Sequence, residues 1–392
     1  MKKNIKLLYG FSFFDQFMIV IALWVPYLAT KGIGMRQFME LQAVFALVIL
    51  CGEVPSGLLS DLWGRKKTLL LGSTLKAISF SLLPLWSSYE GFLIYHLMMG
   101  IALSMISGGD VALLYDSYLA AGGEKSRGTA VLGNAKLAAQ TGATVSALLG
   151  GAVVILSYGH LLWANALLSW IPVLLVLGVT EPPAGLDRAK KRSKELKEIL
   201  STTLVRDAAT RLVFLNLVAS GTGGLVMIWA NQKYWQESGV PLAYFGVLLA
   251  GYSLIVGLAG RSAALGGARY GRRPLLAAVG VLPIIACFGM ASFLGWGGIL
   301  LGTLVPVGRG LGEVLFLEAL NERLSSAFRA TVISMANLGT RASFCLLGPV
   351  VGYGIDAWGL PSVLSALGIL FSIAFVFLLL PLVVSPADRL RA

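Results

Sequence analysis

The chain is poor in charged residues and lacks the motifs of the common enzyme classes. Charged side chains make up 13% of its 392 residues, whereas a soluble domain carries roughly 25%. So few charges cannot cover a water-facing surface, and 57% of the residues are hydrophobic. The composition therefore predicts that most of the chain lies in lipid. No G-x-x-x-x-G-K-[ST], H-E-x-x-H or G-x-S-x-G pattern occurs, so we predict neither ATP-driven transport nor an enzyme, with no cofactor and no metal site.

Cysteine is also scarce. Cys51, Cys287 and Cys345 lie in apolar runs without C-x-x-C or C-x-H spacing, which predicts small buried side chains. The net charge of +12 is typical of many nucleic-acid binders. Here, however, Lys and Arg concentrate in the loops predicted for one face of a membrane, as the positive-inside rule expects. The charge therefore indicates topology and affinity for anionic lipid, with no nucleic-acid partner.

Twelve apolar segments are long enough to span a bilayer, which takes about 20 residues. They run at about 5–29, 37–60, 68–87, 91–119, 128–157, 160–180, 209–236, 242–266, 274–295, 297–322, 329–356 and 360–383. The one long connection begins Glu181-Pro182-Pro183, which ends a helix, and continues as a basic amphipathic stretch typical of a membrane-surface helix. We therefore predict an all-α membrane protein with six-helix domains 1–180 and 209–392, a cytoplasmic basic linker 181–208, and both termini cytoplasmic.

The loop between the second and third segments carries the most specific motif. Gly57 to Lys67 reads G-L-L-S-D-L-W-G-R-K-K. Asp61 places a carboxylate at the edge of the apolar zone, and Gly64 permits a tight reversal. The basic residues that follow mark this side as cytoplasmic. The loop resembles the signature loop of major facilitator superfamily (MFS) transporters, G-x-L-[AS]-D-[KR]-x-G-R-[KR]-x, from which it departs at Leu62.

The resemblance implies two pseudo-symmetric six-helix bundles that work by alternating access, with helices 1, 4, 7 and 10 around a central cavity. The halves repeat: Gly64-Arg65-Lys66 aligns with Gly271-Arg272-Arg273, and Asp110 aligns with Glu313. In helix four, S-G-G-D-V-A-L-L-Y-D is similar to a group of bacterial MFS proteins. Y-H-L-M-M-G resembles the RxxxG motif of drug:proton antiporters, with His96 in place of the arginine.

We therefore expect a monomeric, proton-coupled exporter of a small amphipathic organic compound in the bacterial inner membrane, in contact with membrane lipids. Uptake or facilitated diffusion of a metabolite stays open as an alternative. So do a non-transporting sensor and a lipid mover on the same fold.

Ionisable side chains at membrane depth need a partner, a wet cavity or a nearby interface. Asp15, near the middle of the first segment, is the first candidate for a proton-coupling carboxylate. It could instead form a permanent ion pair with an arginine that only locks helices together, or have no role. Lys76 and Arg261 are interpreted as snorkelling or helix-locking groups. The other candidates for proton or substrate binding are Arg309, Arg341, Asp110, Glu313, His96, Lys136, Trp229 and Asn231.

Two further pairings follow from position. Glu313 lies four residues after Arg309, so an intrahelical pair between them is expected. The resemblance implies that Asp116 pairs with Arg65 at a cytoplasmic gate. Glu53, about two helical turns before Asp61, is expected either to join this network or to pair with Lys136. The predicted gate residues are Asp61, Arg65, Asp116, Glu53, Gly57 and Gly64.

Overall fold

The computed structural model describes residues 1–124, 127–182, 207–324 and 326–384, with the main chain alone for 264–270 and 326–330. All regular structure in these ranges is helical. Nine of the described helices are long and apolar enough to cross a membrane. The predicted surface helix of the linker falls outside the described residues.

The described residues of the first half form nine α-helices. Their bounds are α1 Lys2–Asp15, α2 Trp24–Ala29, α3 Met35–Trp63, α4 Arg65–Leu82, α5 Tyr89–Ile106, α6 Gly109–Ala120, α7 Gly128–Val153, α8 Tyr158–Leu168 and α9 Ile171–Leu177. Short 3₁₀ turns at Ile21–Leu23 and Leu83–Leu85 precede α2 and follow α4.

In the second half, the part of the chain that the structure describes forms eight α-helices. Their bounds are α10 Ala208–Glu237, α11 Leu242–Tyr270, α12 Arg272–Ser292, α13 Trp296–Gly302, α14 Leu304–Arg323, α15 Ser326–Trp358, α16 Leu360–Ala374 and α17 Leu380–Val384. A π-helical turn, Phe375–Leu379, joins α16 to α17.

The chain divides into two compact units. Unit 1 consists of Met1–Ala184 and Pro241–Ala250, and unit 2 of Gly185–Val240 and Gly251–Ala392. One buried hydrophobic cluster of unit 1 includes Leu8, Phe11 and Leu113. The core of unit 2 includes Phe316, Leu320 and Val332.

The first segment is not the continuous helix that its apolar run predicts. α1 ends at Asp15, and residues 16–20 are non-helical before the 3₁₀ turn and α2. Two glycines of α7 lie directly against this segment. A Cβ atom on Gly142 would come 2.1 Å from the carbonyl oxygen of Phe13, and one on Gly150 would come 2.1 Å from that of Ile19. Glycine is therefore needed at both positions for the close approach of α7.

The fourth segment is also interrupted. α5 ends at Ile106, Gly108 takes a positive φ of 77°, and α6 begins at Gly109. This conformation favours glycine. The interruption places Asp110 in the first turn of α6, so two of the interrupted segments of unit 1 have an aspartate at the break.

Candidate functional site

The two acidic residues at the helix breaks belong to one polar cluster. Lys76, on α4, donates from Nζ to Oδ1 of Asp15 at 2.8 Å and also to the main-chain carbonyl of Asp15. The Lys76 and Asp15 side chains are only 4% and 8% exposed. Gln16 donates from Nε2 to the second carboxylate oxygen of Asp15 at 3.1 Å. Both oxygens of the Asp15 carboxylate therefore accept hydrogen bonds in a nearly dry setting.

The interrupted backbone of the first segment is stabilised from both sides. Lys76 binds the main-chain carbonyl of Asp15 where α1 stops. Asn165, on α8, accepts from the main-chain N–H of Val20 at 3.4 Å through Oδ1. In lipid, non-helical backbone is tolerated only when protein groups or water satisfy its donors and acceptors. These two side chains therefore explain how the break exists at this depth.

Asp110 adds a second negative charge to this cluster. It lies in the first turn of α6, is partly buried, and interacts electrostatically with Asp15. The N-terminus of α6 offers partial positive charge to its carboxylate. With Asp15 and Asp110 ionised and Lys76 protonated, these three side chains carry one excess negative charge. A bound proton would neutralise that excess.

The identity of the partner of Asp15 corrects the sequence prediction. The alternative of a permanent ion pair named an arginine as the partner, whereas the structure places Lys76 on Asp15. The snorkelling interpretation of Lys76 is wrong as well, because its ammonium is buried and directed at Asp15. The alternative that Lys76 locks helices together agrees with this contact between α1 and α4.

His96 lies buried among aromatic rings in unit 1. Its Nδ1 contacts the carbonyl oxygen of Phe92 at 2.7 Å, and its Nε2 contacts Nε2 of Gln42 at 3.3 Å. A carbonyl only accepts, so Nδ1 is the donor, and the neutral ring then accepts from Gln42 through Nε2. Rings of Trp24 and Tyr95 lie 5.9 and 5.2 Å from its own. This environment is that of a packed neutral histidine, with both nitrogens already bound.

The signature loop forms a second cluster, where α4 begins. Arg65 pairs with Asp116 through Nη1, which also donates to the carbonyl of Ala112 at 3.1 Å. The Glu181 carboxylate accepts from the main-chain N–H of Arg65 at 2.9 Å and of Lys66 at 2.7 Å. Gly64 takes a φ of 96° to make the turn. Glu181 thus satisfies two of the free N–H groups at the start of α4.

A matching cluster lies in unit 2. Arg272, the repeat counterpart of Arg65, donates to Glu322 at 2.7 and 2.5 Å and lies 3.2 Å from Glu318. Beside it, Arg323 pairs with Asp207 at 3.2 Å. Each repeat therefore pairs the arginine of its loop with an acidic residue near the end of a later helix, Asp116 of α6 or Glu322 of α14.

The contacts described above for the signature-loop cluster do not involve the remaining gate candidates. Asp61 is exposed and Glu53 is partly buried. Lys136 is exposed on α7, and its pairing with Glu53 stays a prediction. At Gly57 a Cβ atom would meet nothing within 4 Å, so close packing does not require a glycine there.

The expected pair between Arg309 and Glu313 is also wrong, because the two side chains are not within ion-pair distance. Arg309 instead lines a cavity inside unit 2, close to Gly224 of α10: a Cβ atom on Gly224 would lie 3.3 Å from Cδ of Arg309. Glu313 and Arg341 are partly buried on α14 and α15.

The two remaining candidates lie further along α10. Trp229 is 8% exposed and Asn231 is 2% exposed. Neither lines the cavity at Arg309. Among the described residues, Oδ1 of Asn231 has no hydrogen-bond partner. The structure thus brings Asp15 and Asp110 together, and Arg65 with Asp116, but leaves Arg309, Trp229 and Asn231 apart.

The sequence matches the family model of the Major Facilitator Superfamily over residues 6–321. The chain belongs to the Major Facilitator Superfamily. The predicted all-α fold class is therefore confirmed. The finer assignment to a drug:proton antiporter-like group is not part of that match. No curated protein resembles the sequence significantly.

Solved MFS structures share the fold. The nucleoside transporter NupG is 17% identical, with a TM-score of 0.78 and coverage of 95% of this chain and 98% of that chain. A bacterial homologue of the human lysosomal transporter Spinster, inward-facing and occupied, is 14% identical, with a TM-score of 0.78 and coverage of 96% and 95%. A D-xylose–proton symporter is 15% identical, with a TM-score of 0.67 and coverage of 94% and 95%. At these identities the likeness concerns the fold alone.

The sequence interpretation of this MFS protein missed the contacts of Glu181 and Asn165 and the identity of the partner of Lys76. Lys76 is the one lysine of an otherwise apolar segment, which signals a buried partner. Glu181 directly follows the sixth segment. An acidic residue at the end of one segment can lie against the N-terminus of a neighbouring helix, where its negative charge is stabilised. Asn165 carries no comparable signal, because an asparagine in an apolar run is compatible with many buried hydrogen bonds.

Proposed function

We propose that this MFS protein is a proton-coupled secondary transporter that exports a small amphipathic organic compound by alternating access, and that Asp15 carries the coupling proton. The observation that supports the proposal is the buried Asp15–Lys76 pair at a broken helix. Broken helices at membrane depth mark ion and substrate sites in transporters, and buried ionisable residues there are functional by default.

The proton step uses the contacts of Asp15. Protonation removes the charge attraction between Asp15 and Lys76, while Lys76 keeps its hydrogen bond to the main-chain carbonyl of Asp15. The ammonium is then free to turn toward the Asp110 carboxylate, which interacts electrostatically with Asp15. Because residues 16–20 are non-helical, the chain there changes conformation without breaking a regular helix.

A proton drives transport only if it binds the two conformations with different affinity. The exchange of Lys76 between Asp15 and Asp110 supplies such a difference. With Lys76 on Asp15, a proton at Asp15 competes with an ion pair. With Lys76 on Asp110, Asp15 is a buried carboxylate without a cation, and it binds a proton readily.

We assign the two loop clusters to the cytoplasmic gate. Arg65–Asp116 and Arg272–Glu322 each join the start of one helix to the end of another within their own unit. Opening of a gate at this side requires these helix ends to move, which breaks the pairs. The proposal places both termini and the basic linker in the cytoplasm of a bacterial cell, with the monomer in the inner membrane as the working unit.

Everted membrane vesicles with a pH-sensitive dye test the function. Respiration acidifies the lumen, and an exported compound added outside should exchange for lumenal protons and raise the lumenal pH. We expect this response with the wild-type protein and its absence with Asp15→Asn. Arg261→Gln, which removes an exposed cation of α11, is the control. An equal response from Asp15→Asn would refute proton coupling through Asp15, and accumulation of the compound only in right-side-out vesicles would refute export.

A further inference from the structure

Unit 2 encloses a cavity that the proton step does not use. Its empty volume is about 600 Å³, counting the open space at its mouth. The walls come from α10, α12, α14, α16 and the π-helical turn, all within unit 2. The lining residues are Asn216, Ala219, Ser220, Gly223, Gly224, Val279, Gly280, Pro283, Val305, Gly308, Arg309, Phe316, Phe371, Ala374, Phe375 and Leu379.

The cavity is lined mostly by apolar side chains. Phe316, Phe371 and Phe375 supply large apolar surfaces. Arg309 is the one charged residue in the lining. Such a combination of aromatic walls and a single charged group is typical of a site that binds a ligand in one orientation.

Two hydrogen bonds of Asn216 hold the π-helical turn in the wall of the cavity. Asn216 donates from Nδ2 to the carbonyl oxygens of Leu378, in the π-helical turn, and of Leu212, each at 2.8 Å. π-helical turns are rare and are found frequently at functional sites. Asn216 uses its amide donors to stabilise this turn, which leaves the Ser220 hydroxyl and the Arg309 guanidinium as lining donors for a ligand.

The guanidinium of Arg309 has no partner of its own. In the part of the chain that the structure describes, it makes no hydrogen bond and no ion pair. Gly224 lets the backbone of α10 approach it, since a Cβ atom there would lie 3.4 Å from Nε. Arg309 is exposed on α14, so a ligand in the cavity can reach its guanidinium, whose planar fork matches a carboxylate in two parallel hydrogen bonds.

We propose that this cavity binds an organic monocarboxylate with an apolar body, its carboxylate on Arg309 and its body against the phenylalanine rings. As a statement about the transported substrate, the proposal rests on the proposed function. As a statement about binding, it does not. The carboxylate comes either from a soluble aromatic acid or from a membrane fatty acid, which share this chemistry.

Equilibrium binding measured by titration calorimetry tests the proposal without a pH gradient. The protein is held in neutral maltoside micelles, so that no lipid phosphate competes. The probe is 2-naphthoate, and its uncharged analogue is 2-naphthamide. We expect the wild-type protein to bind the acid at least 10-fold more tightly than the amide, because a charge-assisted bidentate contact is lost with the amide.

Four variants separate charge from space. Arg309→Gln should weaken naphthoate binding by about 10–100-fold and leave the amide unchanged. Ala219→Leu, which fills the cavity, should weaken both. Arg261→Gln, outside the cavity, should match the wild type. Asp15→Asn should bind naphthoate normally, so that loss of proton coupling and loss of the carboxylate site give different results.

Ser220→Asp covers the case in which Arg309→Gln fails to fold. Position 220 lies one helical turn before Gly224, so the introduced carboxylate should form an intramolecular ion pair with Arg309. This ion pair should abolish naphthoate binding. If laurate displaces bound naphthoate at a concentration lower than that of the naphthoate, the site is assigned to a fatty acid. If laurate displaces it only at a higher concentration, the site is assigned to a soluble acid. The proposal is overturned if the wild type does not prefer acid to amide, or if either Arg309→Gln or Ser220→Asp binds naphthoate as the wild type does.

Discussion

Lys76 and Asp15 are joined twice: the lysine ammonium of α4 donates to the carboxylate of Asp15 and to its main-chain carbonyl, where α1 ends. One side chain therefore both compensates a buried charge and satisfies the backbone of a broken helix. Asp110, in the first turn of α6, interacts electrostatically with the same aspartate. This arrangement makes the stability of unit 1 depend on charge balance among three residues.

The first prediction concerns that balance. Lys76→Gln should destabilise the protein more than Asp15→Asn, because it leaves two neighbouring carboxylates without a cation. Asp15→Asn removes one of these carboxylates and leaves Lys76 its hydrogen bond to the main-chain carbonyl of residue 15. Breaking a buried pair typically costs about 3–5 kcal/mol, so the thermal melting temperature in detergent should fall clearly for Lys76→Gln. Equal melting temperatures for the two variants would contradict the proposed role of Asp110.

The second prediction concerns the gate. Asp116→Asn removes the ion-pair partner of Arg65, whereas Asp61→Asn removes an exposed carboxylate. If both belong to the cytoplasmic gate, both substitutions should increase thiol labelling of cysteines introduced near the signature loop. If the Arg65–Asp116 pair only holds α4 to α6, Asp116→Asn alone should lower the melting temperature, and labelling should match the wild type for both.

The third prediction concerns Glu181. Its carboxylate accepts from the main-chain N–H groups of Arg65 and Lys66 at the start of α4. Glu181→Ala should therefore cost about 1 kcal/mol, as for loss of a helix N-cap. The matched control is Glu237→Ala, which breaks only a partly exposed i,i+4 contact with Lys233 at 3.4 Å, worth about 0.3–0.5 kcal/mol. A smaller loss of melting temperature for Glu181→Ala than for Glu237→Ala would refute this capping role.

The fourth prediction concerns pH. Burial alone would raise the pKa of Asp207, but hydrogen bonds from Thr210 and Ala209 and the nearby Arg323 guanidinium outweigh it and hold the pKa below the usual value. A carboxylate whose pKa is lower in the folded state stabilises the fold above its unfolded pKa, about 3.9, and loses this contribution as pH falls through the folded pKa.

Asp207→Ala should therefore lower the melting temperature at pH 7, and its difference from wild type should shrink as the pH falls below about 4. Asp207→Asn keeps an oxygen acceptor for the N-cap but not the charge, and it should show a smaller loss at pH 7. A difference between wild type and Asp207→Ala that stays constant down to pH 3 would show that the charge contributes nothing.

Much of the fold follows from the sequence, since the positions of apolar segments and of the signature loop depend on local composition. The contact of Arg65 with Asp116 follows from a family pattern. The break after Asp15 does not, because residues 16–20, Q-F-M-I-V, contain neither proline nor glycine. Its causes are tertiary: Lys76 and Asn165 satisfy the freed backbone groups.

The interpretation of His96 and Arg309 was limited in the same way. Whether a histidine titrates depends on what its nitrogens contact, and both nitrogens of His96 are bound in an aromatic environment. The Arg309–Glu313 spacing permits an intrahelical pair. The orientation of the two side chains, which helical periodicity does not fix, separates them and directs Arg309 toward the cavity of unit 2.

The fifth prediction separates a coupling site from a structural lock. The double variant Asp15→Asn/Lys76→Gln removes both charges, so no uncompensated ion is left by the pair and folding should recover relative to Lys76→Gln alone. If the pair only holds helices together, transport driven by a pH gradient should recover as well. If Asp15 carries the proton, transport should stay uncoupled.

The decisive measurement is flux of an identified substrate by the double variant in everted vesicles, with and without a pH gradient. We expect the same slow, downhill flux under both conditions. Gradient-driven accumulation at the wild-type rate would contradict the central claim that the charge on Asp15 is what couples protons to transport.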